Sequence, residues 1–209
     1  KGGDQVKGYL LLATACDGAL ATTAQFTSVR VVCNNTLAIA LERKGQDKAA
    51  GIIKVPHSTE FNPEQVKAQL GITVSDWDRF IRQMKQLSNR KVSNAEADNF
   101  FQTVLNCTPK GAGFSDSDLK AADGSPNSSK AALSNERAYK RVQALYGGAA
   151  MGAQLESAQG SAWGLLNAVT EFVDHHRRSR SQDNRLDSAW FGQGALIKQA
   201  ALEEALALL

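Results

Sequence analysis

Gly8-Tyr-Leu-Leu-Leu-Ala-Thr14 and Ala19-Leu-Ala-Thr-Thr-Ala-Gln-Phe-Thr27 flank Asp17-Gly18, and these residues decide the fold class. Asp-Gly accepts the positive φ of a tight reversal, and both flanks are apolar runs of strand length, so a β-hairpin is expected. Val29 to Cys33 continues as a short β-branched run. It leads into Asn34-Asn35, whose side chains are suited to cap a short apolar helix that starts at Thr36 and carries Leu37, Ile39, Ala40 and Leu41. Gly51-Ile-Ile-Lys-Val-Pro56 reads as a further strand, confined to an edge by a proline that has no ladder donor.

From Asn62 the apolar period lengthens from two to about 3.6. Asn62-Pro63-Glu64 opens a short helix with a cap, a proline that needs no partner, and an acid at the positive end of the dipole. Ser75-Asp-Trp-Asp78 precedes Trp77, Phe80, Ile81, Met84 and Leu87, and Ser93-Asn-Ala-Glu96 precedes Ala97, Phe100, Phe101, Val104 and Leu105. Each set is a capping box followed by an amphipathic stripe, which predicts two antiparallel helices. Residues 108–133 are rich in Gly, Ser, Asp, Lys and Pro and predict a flexible loop. Beyond it, Ala138, Val142, Leu145 and Ala149 predict a helix running through Gly147-Gly148 towards Gln154. Further helices are expected from Ser161 to about Arg178 and from Leu196 to Leu209.

These expectations add up to an α+β fold, a small antiparallel sheet from an N-terminal hairpin packed against a mainly helical C-terminal half. The organisation is 1–107 sheet plus first helical hairpin, 108–133 loop and 134–209 C-terminal helices, within one domain. The chain starts at Lys1 close to a strand, which suggests a portion of a longer protein with sheet partners upstream.

A hydrophobic share of 43% and a charged share of 22% fit an ordinary globular protein, and a net charge of +3 is too small to mark a nucleic-acid binder by bulk electrostatics. Cys16, Cys33 and Cys107 are scattered and show neither a disulfide framework nor zinc spacing, so a reducing, cytoplasmic setting is expected. No apolar run reaches the roughly 20 residues of a membrane span. No cofactor, metal site or catalytic residue is assigned. Cys33 ahead of two asparagines reads as a buried small hydrophobe, although a helix amino end there would activate a thiol. Glu171 one turn before His175 reads as a helix terminus, and Gly147-Gly-Ala-Ala-Met-Gly152 reads as close helix packing, lacking the lysine of a phosphate loop.

The strongest local charge excess is His175, His176, Arg177, Arg178, Arg180 and Arg185. A thinner basic face comprises Arg79, Arg82, Lys85 and Arg90. Tyr9, Phe26 and Phe61 are the aromatics nearest the sheet, the other ingredient of single-strand binding.

Tyr9-Leu-Leu-Leu, Asp17-Gly18, Phe26-Thr27, Val29-Arg-Val-Val-Cys-Asn-Asn-Thr-Leu37, Val55-Pro-His-Ser58 and Gly160-Ser-Ala-Trp-Gly-Leu-Leu-Asn-Ala-Val-Thr-Glu-Phe-Val-Asp-His-His-Arg177 occur in the order of a known signature. In them the chain resembles the phage/plasmid-like protein family, a domain of unknown function, family 932. The resemblance implies residence on phages, plasmids and integrated elements, near DNA-processing genes, and no established activity.

The expectation is a non-enzymatic, mobile-element protein that binds single-stranded DNA during recombination or replication. Arg30, Lys54 and His57 on the strands and Arg177, Arg178 and Arg180 at the helix end would meet phosphates. A homo-oligomer would multiply the weak patch along one strand. Two rival readings remain. A protein-interaction module acting against host defence would use the exposed leucines of the last helix and the mobile loop. An enzyme would need Cys33, Asn34 and His57 or His175 in one pocket.

Overall fold

The computed structural model describes residues 3–14, 22–38, 52–55, 58, 62–64, 74–106, 128–179 and 181–209. Strands β1 (Val6–Ala13) and β2 (Thr22–Arg30) pair antiparallel from Val6 opposite Arg30 to Ala13 opposite Thr23, the expected hairpin. The other edge of β2 is shared. Its first half pairs with β4 (Ile52–Val55) and its second half with β3 (Asn35–Ala38), both antiparallel, so β2 is the centre of a four-stranded sheet.

Strand β3 replaces the helix expected at Thr36. Val31 to Asn34 form a tight turn in which the Asn34 amide donates to the Arg30 carbonyl at 2.8 Å, and Asn34 takes a left-handed φ of 55°. Asparagine tolerates that conformation, and here the Asn pair reverses the chain instead of capping a helix. The rest of that expected helix, from Ile39 on, lies outside the described residues, as do the Asp17-Gly18 turn and most of the helix expected after Pro63.

Helices α1 (Val74–Asn89) and α2 (Asn94–Asn106) follow, each burying its predicted stripe: Phe80, Met84 and Leu87 from one, Ala97, Phe100, Phe101, Val104 and Leu105 from the other. The second capping box forms in full. The Ser93 hydroxyl oxygen accepts from the Glu96 amide at 3.3 Å, and the Glu96 carboxylate accepts from the Ser93 amide at 2.8 Å, from Arg90 and from the Ser93 hydroxyl at 3.0 Å, which lowers its pKa to about 2. Helix α3 (Ser128–Ala144) begins inside the segment expected to be a loop, because Lys130 to Leu133 are good helix formers despite the Gly- and Pro-rich residues before them. The remainder of that loop lies outside the described residues.

The helix predicted to pass through Gly147-Gly148 does not. After Ala144 the chain makes one wide π-turn over Leu145–Ala149, with Gly148 at φ 127°, and leaves in extended conformation at Ala150. Helix α4 (Ala162–Glu171) is capped by the Ser161 hydroxyl, which accepts from the Gly164 amide. All ten residues of α4 are buried, and it packs on α1, α2, α3 and β3. A helix buried all round is the axis of a core. It runs into a second π-turn, Phe172–His176, and then α5 (Gln182–Trp190), a helix that the polar sequence concealed. Helix α6 (Gln193–Ala207) packs on α2, α4 and α5, so the expected C-terminal helix docks within its own domain. The architecture is α+β as expected. Among the described residues no helix is long and apolar enough to cross a membrane.

Candidate nucleic-acid interface

The two long signature stretches, Arg30 to Leu37 and Trp163 to Arg177, meet along one seam between sheet and helices. At its base the Arg30 guanidinium grips the Asp4 carboxylate with both arms, Nε to Oδ1 at 2.8 Å and Nη2 to Oδ2 at 2.9 Å, and also donates to the Gly152 carbonyl at 3.2 Å. Its carbon lies 5.7 Å from the centroid of the Trp163 ring. Asp4 accepts further bonds from the Ser157 hydroxyl at 2.6 Å and the Trp163 indole at 3.0 Å. Burial pushes the Asp4 carboxyl up, but the bonds from Arg30, Ser157 and Trp163 outweigh that and hold it below its ordinary value. Arg30 is only 3% exposed, so its charge is spent on Asp4 and not on a phosphate. This corrects its expected role. Sequence shows the arginine but not an acid 26 positions upstream that folds against it.

Further along the seam Asn35 Nδ2 donates to the Asn167 carbonyl at 3.3 Å, and a His175 ring nitrogen lies 3.0 Å from the Cys33 carbonyl. The Thr36 amide donates to Asp174 Oδ2 at 2.7 Å, and Lys198 Nζ joins Asp174 Oδ1 at 2.8 Å and Thr36 Oγ1 at 2.7 Å. Burial presses the Lys198 pKa below its ordinary value, against the pull of Asp174. The Cys33 thiol is buried, and desolvation raises its pKa, which works against a nucleophile. His175 meets the backbone of Cys33 and not its sulfur. Among the described residues no group of three His, Cys, Asp or Glu side chains is placed to hold a metal.

The second π-turn sorts the charges of its segment. Glu171 is 3% exposed and turns inward, where both its oxygens accept from the Met151 amide at 3.2 Å, while Asp174 is consumed by Thr36 and Lys198. The bases turn out. Arg178 is exposed, Arg185 Nη1 reaches the His175 carbonyl at 3.5 Å, and Arg177 is half-buried and donates to Ser188 Oγ at 3.0 Å. Arg141 of α3 joins them from far away in sequence, its Nη2 lying 3.2 and 3.3 Å from the two ring nitrogens of His176. Nothing in the spacing marks Arg141, which follows Ala138 on an ordinary amphipathic helix. Burial, with the Arg141 charge next, lowers the His176 pKa against the pull of Glu171 at 3.7 Å. Exposed Asp183 and Asp187 on α5 offset part of the excess.

Of the remaining expected contacts, Lys54 lies on β4, but its side chain is outside the described residues, as are His57 and Arg180. On the thinner basic face Arg90 is committed to the Leu208 carbonyl at 2.9 Å and Glu96 at 2.5 Å, whereas Arg82 and Lys85 are exposed.

The arrangement is a sheet-and-helix domain with a buried Cys33 and a turn at which His175, His176 and Arg178 are exposed. The chain belongs to the family described as Domain of unknown function (DUF932), whose model matches residues 1–190. No curated protein and no solved structure matches it.

Proposed function

We propose that this is a non-enzymatic nucleic-acid-binding protein of a mobile genetic element that handles single-stranded DNA in recombination or replication. The observation that carries the reading is the sorting of charge at the second π-turn. Glu171 and Asp174 are neutralised inward by Met151, Thr36 and Lys198, while Arg141, beside His176, and Arg178 are exposed, with Arg177 and Arg185 half-buried near them in the chain. Interleaved acids would otherwise cancel the field. Guanidinium groups suit phosphate oxygens through their planar fork of donors. The patch is small, so repetition in a homo-oligomer lets one strand cross several copies and gain avidity without new contacts.

The test is anisotropy of a labelled oligonucleotide at two salt concentrations, with the assembly sized in parallel. Expected is binding at low salt whose logarithm falls with log salt by about 0.7 per phosphate neutralised. The R141A/R178A variant should weaken binding to all sequences alike and flatten that slope by about 0.7 for each phosphate no longer neutralised. Absence of binding at low salt refutes the reading, and a strict monomer with full affinity refutes the role of assembly.

A further inference from the structure

We infer that the outer edge of β1 docks a second copy of this chain, which adds its own β1 antiparallel about a two-fold axis. The proposed function calls for an assembly without saying where copies meet. This inference deepens that reading by naming the surface, and it rests on the reading only for what the assembly is used for.

Hydrogen-bond parity shows which backbone groups of β1 are available. The Val31 amide donates to the Gln5 carbonyl at 2.8 Å, one step beyond the pairing of Val6 with Arg30, so Gln5 and Val31 are a bonded pair. Bonded and unbonded pairs alternate in an antiparallel ladder. Lys7, Tyr9, Leu11 and Ala13 therefore turn their N–H and C=O groups towards β2, while Val6, Gly8, Leu10 and Leu12 turn theirs away. The same parity carried across β2 turns the Thr36 amide away from that strand, and it is found on Asp174. Among the described residues no strand lies beyond β1.

Sheet edges that stay unpaired are usually guarded by charge, proline, a bulge or a cover. The register of β1 is unbroken over its 8 residues, without proline and with Lys7 as its one charge. It carries three of the eight large apolar side chains exposed among the described residues: Tyr9 at 49%, Leu10 at 44% and Leu12 at 65%. Alternation puts Tyr9 on one face of the sheet and the leucines on the other. A strand that covers them must be apolar on both faces, as β1 itself is. Setting Tyr9 opposite the second copy's Tyr9 places Val6 against Leu12 and Gly8 against Leu10, and each outward N–H and C=O from Val6 to Leu12 gains a partner. A slip of two residues either way carries Val6 or Leu12 past the end of the other strand. Gly8 has no side chain and Trp77 Cζ3 stands 2.9 Å from where its Cβ would be, so the second copy's Leu10 meets the indole. Charge also favours this arrangement. The two Lys7 residues lie four positions apart, about 13 Å along the strands, beyond the Debye length of about 8 Å at physiological salt. Parallel stacking would set them side by side.

The test sizes the full chain by sedimentation over a concentration series, without oligonucleotide, and follows amide exchange by NMR. Expected is a reversible dimer of modest affinity, because three large side chains per copy fall short of the about 20–30 residues a side in a standard interface. The Gly8, Leu10 and Leu12 amides should exchange fast in the monomer and slowly in the dimer, with Tyr9 and Leu11 protected in both. L12K should return the monomer, and so should L10P, which removes an outward donor that β2 does not use. Should both variants prove unfolded by circular dichroism, Y9C decides. Opposed residues of an unbonded pair stand about 4.5 Å apart, within disulfide reach, so oxidation should cross-link Y9C as a dimer well above the wild-type level. A monomer at every concentration overturns the inference, and protected Gly8, Leu10 and Leu12 amides in that monomer would give the edge to another segment of the chain. A dimer that survives L12K and L10P, or a folded Y9C that does not cross-link, also overturns it, since the copies then meet elsewhere. Oligonucleotide binding enters none of these readouts, so its failure would remove the single-strand reading alone.

Discussion

Replacing Arg30 separates a structural arginine from a phosphate-contacting one. In Arg30→Ala the Asp4 carboxylate stays in place, 7% exposed at its side chain, with only Ser157 and Trp163 to satisfy it. Removing one partner of a buried ion pair typically costs about 3–5 kcal/mol, because the other charge is left uncompensated. In a chain of this size each kcal/mol lowers Tm by about 2–4 °C, so a drop of about 6–20 °C is expected. Arg30→Lys should recover little of it, since a single ammonium cannot span both carboxylate oxygens. Acid titration supplies a second readout. The folded pKa of Asp4 is depressed, so its contribution is fully present above the unfolded value near 3.8 and is lost as pH falls through the folded pKa. Urea midpoints of the wild type should therefore decline at acid pH more steeply than those of Asp4→Asn. Urea denaturation with oligonucleotide binding measured on the folded fraction decides the matter. If Arg30→Ala is as stable as the wild type but loses binding, the guanidinium serves phosphate and the assignment to Asp4 is wrong.

Three other substitutions probe the packing and the cationic turn. Gly164→Ala places a Cβ 2.1 Å from the Ala158 carbonyl oxygen, a backbone atom that cannot step aside, so the collision outweighs the propensity gain of about 1 kcal/mol and a net loss of about 2 kcal/mol is expected by urea denaturation. Lys198→Met strands Asp174 beside Thr36 and should cost about 3–5 kcal/mol, with Lys198→Met/Asp174→Asn recovering part of it in the same assay. For His176, proton NMR should show a pKa below 6.5 that rises in Arg141→Ala, because a neighbouring cation is removed. Since that pKa is depressed in the fold, the stability tied to it is complete above the unfolded value and declines as pH falls towards the folded one.

Much of the fold is legible in the sequence because its determinants are local. The apolar runs that pair as β1 and β2, the Ser93 to Glu96 capping box and the stripe of Phe80, Met84 and Leu87 all lie within or beside what they specify. Sequence misleads where one residue type serves two local structures. Asn34-Asn35 suits a helix cap and a left-handed turn equally, and pairing of Asn35 with Arg30 across β2, a tertiary fact, selects the turn. Gly147-Gly148 reads as a weak spot within a helix, whereas Gly148 is where it ends. Helix α5 is hidden because only Ala189 among its residues is fully buried, leaving almost no apolar period to see. Of the candidate surface, the exposed Arg178 is legible as part of a charge run. Arg141 is not, since 35 residues separate it from His176. A lone glycine inside a strand does signal that something approaches closely, and at Gly8 that something is Trp77.

The seam explains why two distant stretches belong to one signature without sharing an active site. The Cys33 carbonyl, Asn35 Nδ2 and the Thr36 amide find partners in the Asn167 to His175 helix and turn, while Asn35 Oδ1 stays buried without one. Hydrogen bonds of this kind add little net stability when made, but an orphaned buried partner costs about 1–3 kcal/mol, so they penalise any other placement of the sheet on the helices. They also draw the carboxylates inward. From the π-turn Asp174 reaches Thr36 of β3 and Lys198 of α6, Glu171 just before the turn reaches the Met151 amide, and His175, His176 and Arg178 are left towards solvent. The outward positive charge thus follows from satisfying the interior. A variant that takes the buried cation from Asp174, such as Lys198→Met, should therefore weaken oligonucleotide binding by the folded fraction without touching a single surface arginine. Undiminished affinity and an unchanged salt slope in that variant would separate seam from surface and refute the link.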